Sequence, residues 1–158
     1  MPSPKNASTR LELDETSKAI IEQLQQNGRR SYAAIGKAVG LSEAAVRQRV
    51  QRLTDSGVIQ VVAVTDPLQL GFSRQAMIGL KVSGPLEPVA DAVADLPEVD
   101  YVVITAGSFD LLLEIVCEDD DHLLEILSSR IRSIPGVVSS ETFMYLHLRK
   151  QTYSWGVR

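Results

Sequence analysis

The chain has 158 residues, 44% of them hydrophobic and 23% charged, with a formal net charge of −4 and one cysteine. These fractions are those of an ordinary soluble globular protein, long enough for one domain or two small ones. They exclude a membrane span, because charged residues interrupt every hydrophobic stretch before it reaches about 20 residues. The lone Cys117 excludes a disulfide framework and a CxxC metal or redox pair, and its apolar surroundings predict a buried, inert thiol. The opening MPSPKNASTR lacks the apolar core of a secretory signal, so a cytoplasmic location is expected.

The charge is unevenly spread. Residues 1–60 hold nine Lys or Arg against six Asp or Glu, a net of +3, and residues 61–158 hold seven against fourteen, a net of −7. Any nucleic acid therefore belongs at the front end, since the acidic back end repels phosphate.

Residues 1 to about 10 carry two prolines and no periodicity and are expected as a mobile arm. Asp14 is positioned to cap a helix whose Ile20, Ile21 and Leu24 share one face, and Asn27-Gly28 closes it. Arg29 and Arg30 follow; two cations at a helix start oppose the helix dipole, so an outside phosphate is one candidate partner and plain solvation the other. The stretch from Ser31 to Ile59 reads as two short helices around a tight turn. Tyr32, Ile35 and Val39 recur at helical spacing, Gly40 ends the first helix, and Ser42 caps the second. Val46, Val50 and Leu53 then form one buried stripe. The opposite face carries Ala44, Ala45, Arg47, Gln48, Gln51 and Arg52 and is free of acids from Ala44 to Leu53. Small residues at the helix start and long cationic and amide side chains beyond suit entry into a DNA major groove. This is a helix-turn-helix with the recognition helix second, and Ser42, Ala44, Arg47, Gln48, Gln51 and Arg52, with Arg29 and Arg30, are its candidate DNA contacts.

Asp55-Ser56-Gly57 ends that helix, and the β-branched run Val58 to Val64 predicts a strand acting as a stiff connector or wing before Asp66-Pro67. From Arg74 the pattern becomes strand (Gln75–Val82), helix (Leu86–Leu96), strand (Asp100–Thr105), strand (Leu111–Val116), a helix carrying Leu123, Leu124, Leu127 and Ile131, and a final strand over Val137–Leu148. That β-α-β-β-α-β order is the ferredoxin-like arrangement. Its strands are apolar on both faces, whereas helices on one side would leave the other side wet and polar. The economical reading is a homodimer joined through the sheets, which also supplies two helix-turn-helix units for two half-sites.

Five motifs in order, LSEAAVRQRVQRLTDSGVI, Val64-Thr65-Asp66-Pro67 with Leu70-Gly71, Leu96 to Val99 (LPEV), Thr105 to Asp110 (T-x-G-x-[FY]-D) and Pro135 to Val137 (PGV), resemble the leucine-responsive regulatory protein/AsnC family of transcription regulators. The resemblance runs from about Leu11 to Leu148. It implies an α+β protein: a helix-turn-helix, winged-helix-like DNA-binding domain over 1–57 with its arm, a connecting strand over 58–72, and a ferredoxin-like βαββαβ ligand-sensing and oligomerisation domain over 73–158. It also implies binding to double-stranded DNA, dimers assembling to a higher oligomer such as an octamer, and an amino-acid effector. Carried onto this chain, the family's effector loop falls on Thr105, Gly107, Phe109 and Asp110, with Tyr101 and Ser108 as neighbouring candidates. A carboxylate suits an effector's ammonium, and amides freed by a flexible glycine suit its carboxylate. The competing reading is a plain hairpin with glycine at a positive-φ position and Asp110 capping the turn. Ser108 and Phe109 depart from the family, where a larger or charged residue and Tyr are common.

No catalytic motif, cofactor fingerprint or metal-ligand spacing is present: Asp119-Asp120-Asp121 lacks the EF-hand pattern, and His122 and His147 stand far apart. The acidic run suits a helix start. Trp155 with Tyr153 is expected as a local anchor or assembly contact. Two rival readings are an enzyme similar to the sirohaem decarboxylases, which would need more basic or His side chains than the acidic half offers, and a metabolite sensor that does not touch DNA.

Overall fold

A computed structural model describes residues 13–153, 156 and 157; the expected N-terminal arm and Trp155 lie outside them. The chain divides into an N-terminal unit running to Ala63 and a second unit from Val64 to Arg149.

In the N-terminal unit three helices form where their caps predict: α1 (Glu15–Gln26), α2 (Tyr32–Val39) and α3 (Glu43–Asp55). Asp14, Ser31 and Ser42 each accept a hydrogen bond from the amide three residues on, at 2.7, 3.2 and 3.2 Å. Gly40 leaves α2 at φ 72°, the left-handed turn that glycine adopts without a Cβ penalty. Ile20, Ile35, Val46 and Val50 form the shared core, with Leu24, Tyr32, Val39, Leu41 and Ile59 around it. Arg49 faces inward toward α1, where its guanidinium reaches Asp14 at 2.6 Å and Ser17 at 3.1 Å. That ion pair bolts the recognition helix to the cap of the first helix.

The run Val58 to Val64 is not a strand. Its first two amides, of Val58 and Ile59, donate to the Leu53 carbonyl at the end of α3, and Val61, Val62 and Val64 stand exposed. β-branched side chains favour extended backbone, but a strand also needs a neighbour to hydrogen-bond, and no described residue supplies one.

In the second unit Asp66 caps a 3₁₀ turn (Pro67–Leu70), and four strands follow: β1 (Arg74–Val82), β2 (Val99–Ile104), β3 (Leu111–Cys117) and β4 (Val137–Met144). They pair antiparallel in the order β2-β3-β1-β4, the ferredoxin-like order. Helix α4 (Leu86–Ala94) and helix α5 (Asp120–Glu125), which runs on into a π-helical turn over Ile126–Ile131, cover one face. Ala76, Ile78, Leu80, Leu111, Leu113, Ile115 and Cys117 point into that core against Val89, Val93, Ile126 and Ile131. Burial pushes the Cys117 thiol up from its ordinary pKa, in keeping with an inert core residue.

Most element ends fall within one or two residues of expectation, and the last strand and last helix depart further. β4 stops at Met144, because β1 begins at Arg74 and the last ladder bond runs from the Tyr145 amide to the Gln75 carbonyl. In the last helix Leu124 faces solvent and Ile126 is buried instead, because the wide π turn brings Ile126 and Ile131, five residues apart, onto the same face. A bulge at Asp100 similarly keeps both Val99 and Val102 on the core side.

Asp14 gives a pH prediction. The hydrogen bonds from Ser17 and from Arg49 hold its carboxyl down at about 2, against an ordinary 3.8. A depressed folded-state pKa stabilises the fold above the unfolded value, and that contribution fades as pH falls from about 4 through about 2. Asp14→Asn keeps a capping oxygen but loses the ion pair. Its melting temperature, followed by helical circular dichroism, is expected below that of the wild type at pH 7, with the gap closing near pH 2.

Candidate nucleic-acid interface and effector loop

The helix-turn-helix owes its tight corner to Gly36. A Cβ there would meet the Leu41 carbonyl oxygen at 2.5 Å, and the Leu41 amide donates back to the Gly36 carbonyl at 2.9 Å. Only a bare backbone lets the chain turn this closely, a requirement that hydrophobic spacing does not reveal. With that corner set, α3 buries Val46, Val50 and Leu53 and presents Ala44, Arg47, Gln48, Gln51 and Arg52 to solvent together.

The outward face is cationic but not unanswered. Arg47 pairs with Glu43 at 2.7 Å and lies 5.2 Å from the centre of the Tyr32 ring, and Gln51 donates to Asp55 at 2.7 Å. The acid-free stretch is thus bracketed by acids one turn away. Exposed pairs of this kind are weak, roughly 0–1 kcal/mol, so phosphate or a base edge can displace them. Arg52 has no such partner among the described residues. Ser42 Oγ accepts from the Ala45 amide and keeps its hydroxyl proton to donate. Arg29 is exposed and Arg30 half-buried in the α1–α2 corner, where Asn27 takes both their backbone amides, at 2.9 and 3.0 Å. Arg49, which resembles its neighbours in sequence, belongs to the interior instead.

The other candidate site is the β2–β3 loop. Its base is closed by four hydrogen bonds. The Thr105 amide and hydroxyl donate to the Asp110 and Phe109 carbonyls at 2.9 and 2.6 Å, the Asp110 amide donates to Leu80, and one Asp110 carboxylate oxygen accepts from the Val82 amide, both at 2.8 Å. Asp110 therefore commits one oxygen to stapling the loop onto β1. Phe109 folds over the sheet's open face, where Gly79 makes room: a Cβ there would strike the ring at 2.6 Å. The ring also meets Phe143 edge-on at 5.9 Å. Thr105, Phe109 and Asp110 are thus brought together, whereas Ala106, Gly107 and Ser108 form the exposed tip. Gly107 lacks the positive φ that the hairpin reading required, and a Cβ there would stand in open space. Tyr101 is half-exposed out on the sheet face, opposite Glu114 in the ladder. A cleft of about 540 Å³ elsewhere in this unit, between Leu68, Arg74, Leu123 and Leu148, includes none of these residues.

The acidic run has structural duties. Asp119 caps α5 through the His122 amide at 2.8 Å, Asp120 pairs with Arg74 at 2.6 Å, and the His122 ring lies 3.5 Å from Glu98, which Arg130 also holds at 2.7 Å. Among the described residues no three His, Cys, Asp or Glu side chains converge as metal ligands, and no helix is long and apolar enough to cross a membrane.

Comparison with known proteins settles the family. Residues 13–54 match the AsnC-type helix-turn-helix domain, and residues 72–158 match the AsnC-type C-terminal dimeric alpha+beta barrel domain. The chain belongs to the AsnC-type family of transcriptional regulators. It is 37% identical over 145 residues to the HTH-type transcriptional regulator FL11 of Pyrococcus horikoshii, covering 90% of this chain and 95% of that one. It is 33% identical to the proline dehydrogenase transcriptional activator of Rhizobium radiobacter, covering 89% and 94%. Among solved structures, a transcriptional regulator of Neisseria meningitidis in complex with L-Met aligns with a TM-score of 0.79 at 27% identity, covering 90% and 96%. AsnC of E. coli aligns at 0.76 and 25%, covering 89% and 96%.

The corner at Gly36 is directly testable. Gly36→Ala is expected to cost about 1–3 kcal/mol, the range for forcing extra volume into a packed contact. Chemical denaturation should show that loss in the helical signal, and an unchanged midpoint would mean that the corner relaxes freely.

Proposed function

We propose that this regulator binds double-stranded DNA through Ala44, Arg47, Gln48, Gln51 and Arg52, with Ser42, Arg29 and Arg30 on phosphate, and that an amino acid received at the Thr105–Asp110 loop alters its assembly or DNA affinity. The observation that carries the first part is the shared exposure of those α3 side chains over a buried Val46-Val50-Leu53 stripe. It orients the helix with its polar face available to the major groove. The effector part rests on the closed Thr105, Phe109 and Asp110 base, its open tip, and the L-Met complex of a structural relative. Two copies join through the open sheet face, and dimers assemble further to a higher oligomer such as an octamer; the amino acid acts by favouring one arrangement over another, since a ligand shifts an equilibrium only through differential affinity. The apolar content of that face supports the dimer mode, with Tyr101 and Phe143 exposed to 50% and 42% in the single chain.

Selection from a random-sequence pool supplies the operator. On it Arg52→Ala is expected to weaken binding roughly tenfold or more, the cost of about 1–3 kcal/mol for a base contact. Arg47→Ala should lose less, because Glu43 already competes for its guanidinium. Affinity should also fall steeply with added salt. Retention of full affinity by both variants, measured by fluorescence anisotropy, would sink the assignment.

The loop is tested through Gly79→Ala, which forces the Phe109 ring off the sheet. Mass photometry of the wild type across a panel of amino acids is expected to show a redistribution of oligomers with at least one of them. Gly79→Ala should raise the concentration needed severalfold, and a variant responding at the wild-type concentration would place the effector elsewhere.

A further inference from the structure

The open sheet face carries a polar island in an apolar field. Across the strands one row reads Tyr101, Glu114, Met77 and Phe143, and beside it lie Val116, Gln75 and Tyr145. Glu114 sits on an inner strand of this face. The Gln75 side-chain amide donates to its carboxylate at 2.8 Å, and Tyr145, which follows β4 beside Gln75, feels the charge of the same group. Burial, and then the Glu114 charge, push the Tyr145 hydroxyl up to about 12, so it stays a proton donor throughout the physiological range. The Tyr145 amide is itself anchored on the Gln75 carbonyl at 2.9 Å. The three groups form one fixed unit contributed by three different segments of chain.

A carboxylate accepts roughly four hydrogen bonds, and the Gln75 amide does not exhaust it. When such a face is covered, the remaining capacity must meet further donors or be stranded in an apolar setting, which is costly. The matched family domain over residues 72–158 is dimeric, so the occupant to consider is a second copy of this chain. In a two-fold interface each copy offers its partner the same groups it needs in return. We propose that Gln75, Glu114 and Tyr145 select the partner and the register of the dimer: a second copy bearing the same island is accepted, and a sheet face apolar at those positions is rejected. This rests on the reading that copies join through the open sheet face. The island thereby works as the single buried polar position of a coiled coil does, giving up some affinity for specificity.

The test is subunit exchange. Differently tagged wild type and the triple variant Gln75→Leu/Glu114→Leu/Tyr145→Phe are mixed in equal amounts, and the dimers are counted by native mass spectrometry. Indifferent partners give about half mixed dimers. Stranding the wild-type island against an apolar face is expected to weaken the mixed pair roughly tenfold, depleting it well below that share. Mixed dimers at the statistical share overturn the proposal. If the triple variant does not fold, Glu114→Gln takes its place: its amide keeps the shape and one accepting oxygen but replaces the charge and the other acceptor with a donor, so depletion supports the island and free mixing refutes it. A separate variant, Phe143→Arg, tests the face itself. It should be monomeric, and a variant that stays dimeric shows that the copies join elsewhere and overturns the sheet-face reading irrespective of the exchange result.

Discussion

A four-stranded sheet has two faces, and the described helices of the second unit cover only one of them. Everything in the second unit follows from that shortage. The covered face is as apolar as a core should be, with Ile78, Leu80, Leu111, Leu113 and Ile115 wholly buried. The other face of this unit keeps Met77, Leu112, Val116, Tyr101 and Phe143, with only the Phe109 ring among the unit's described residues laid over it, across Gly79. Apolar area left in water is a standing incentive to associate, worth about 25 cal/mol for each Å² removed. The β2–β3 loop is joined to this face physically, since Phe109 touches Phe143 on β4 while its neighbour Asp110 is stapled to β1. If the loop receives the effector and the face joins two copies as proposed, a change at the loop tip reaches the interface through one ring and one hydrogen bond.

The N-terminal unit depends on contacts of another kind. Its core is small, and its geometry is set by backbone caps, the bare corner at Gly36 and the Arg49–Asp14 pair. Such a unit is rigid at its corner and polar on its reading face, which suits a module that must present side chains without rearranging.

Much of this was legible in the residues because the relevant signals are local. Ser31, Gly40 and Ser42 announce helix ends within four residues of themselves, and the two-sided alternation of β1 and β3 states outright that both faces are apolar. What escaped is non-local. Val58 to Val64 has the side chains of a strand but no described neighbour to pair with. Arg49 looks like its neighbours until its partner, 35 residues away, is known. The exchange of Leu124 for Ile126 in the core follows from a π turn that helical spacing does not encode. In the β2–β3 loop the motif names Thr105, Phe109 and Asp110, which the fold does bring together, but the strain-free Gly107 and the occupied Asp110 oxygen are facts of three-dimensional closure. Glu114 gave no sign of its partner, because the Gln75 amide arrives from another strand.

If Arg47 and Gln51 contact DNA as proposed, the acids beside them bear on how the protein moves along it. Glu43 and Asp55 hold Arg47 and Gln51 loosely, so any phosphate that engages these side chains must first take them from an internal partner. On sequences that return only phosphate contacts the exchange is nearly even, and dwell times are short. Where base edges offer well-aligned acceptors, the exchange becomes favourable and the complex persists. A protein searching a genome spends most of its time on wrong sequence. Loosely tethered side chains would keep that time brief, so that two ordinary surface pairs would influence how fast the right site is found.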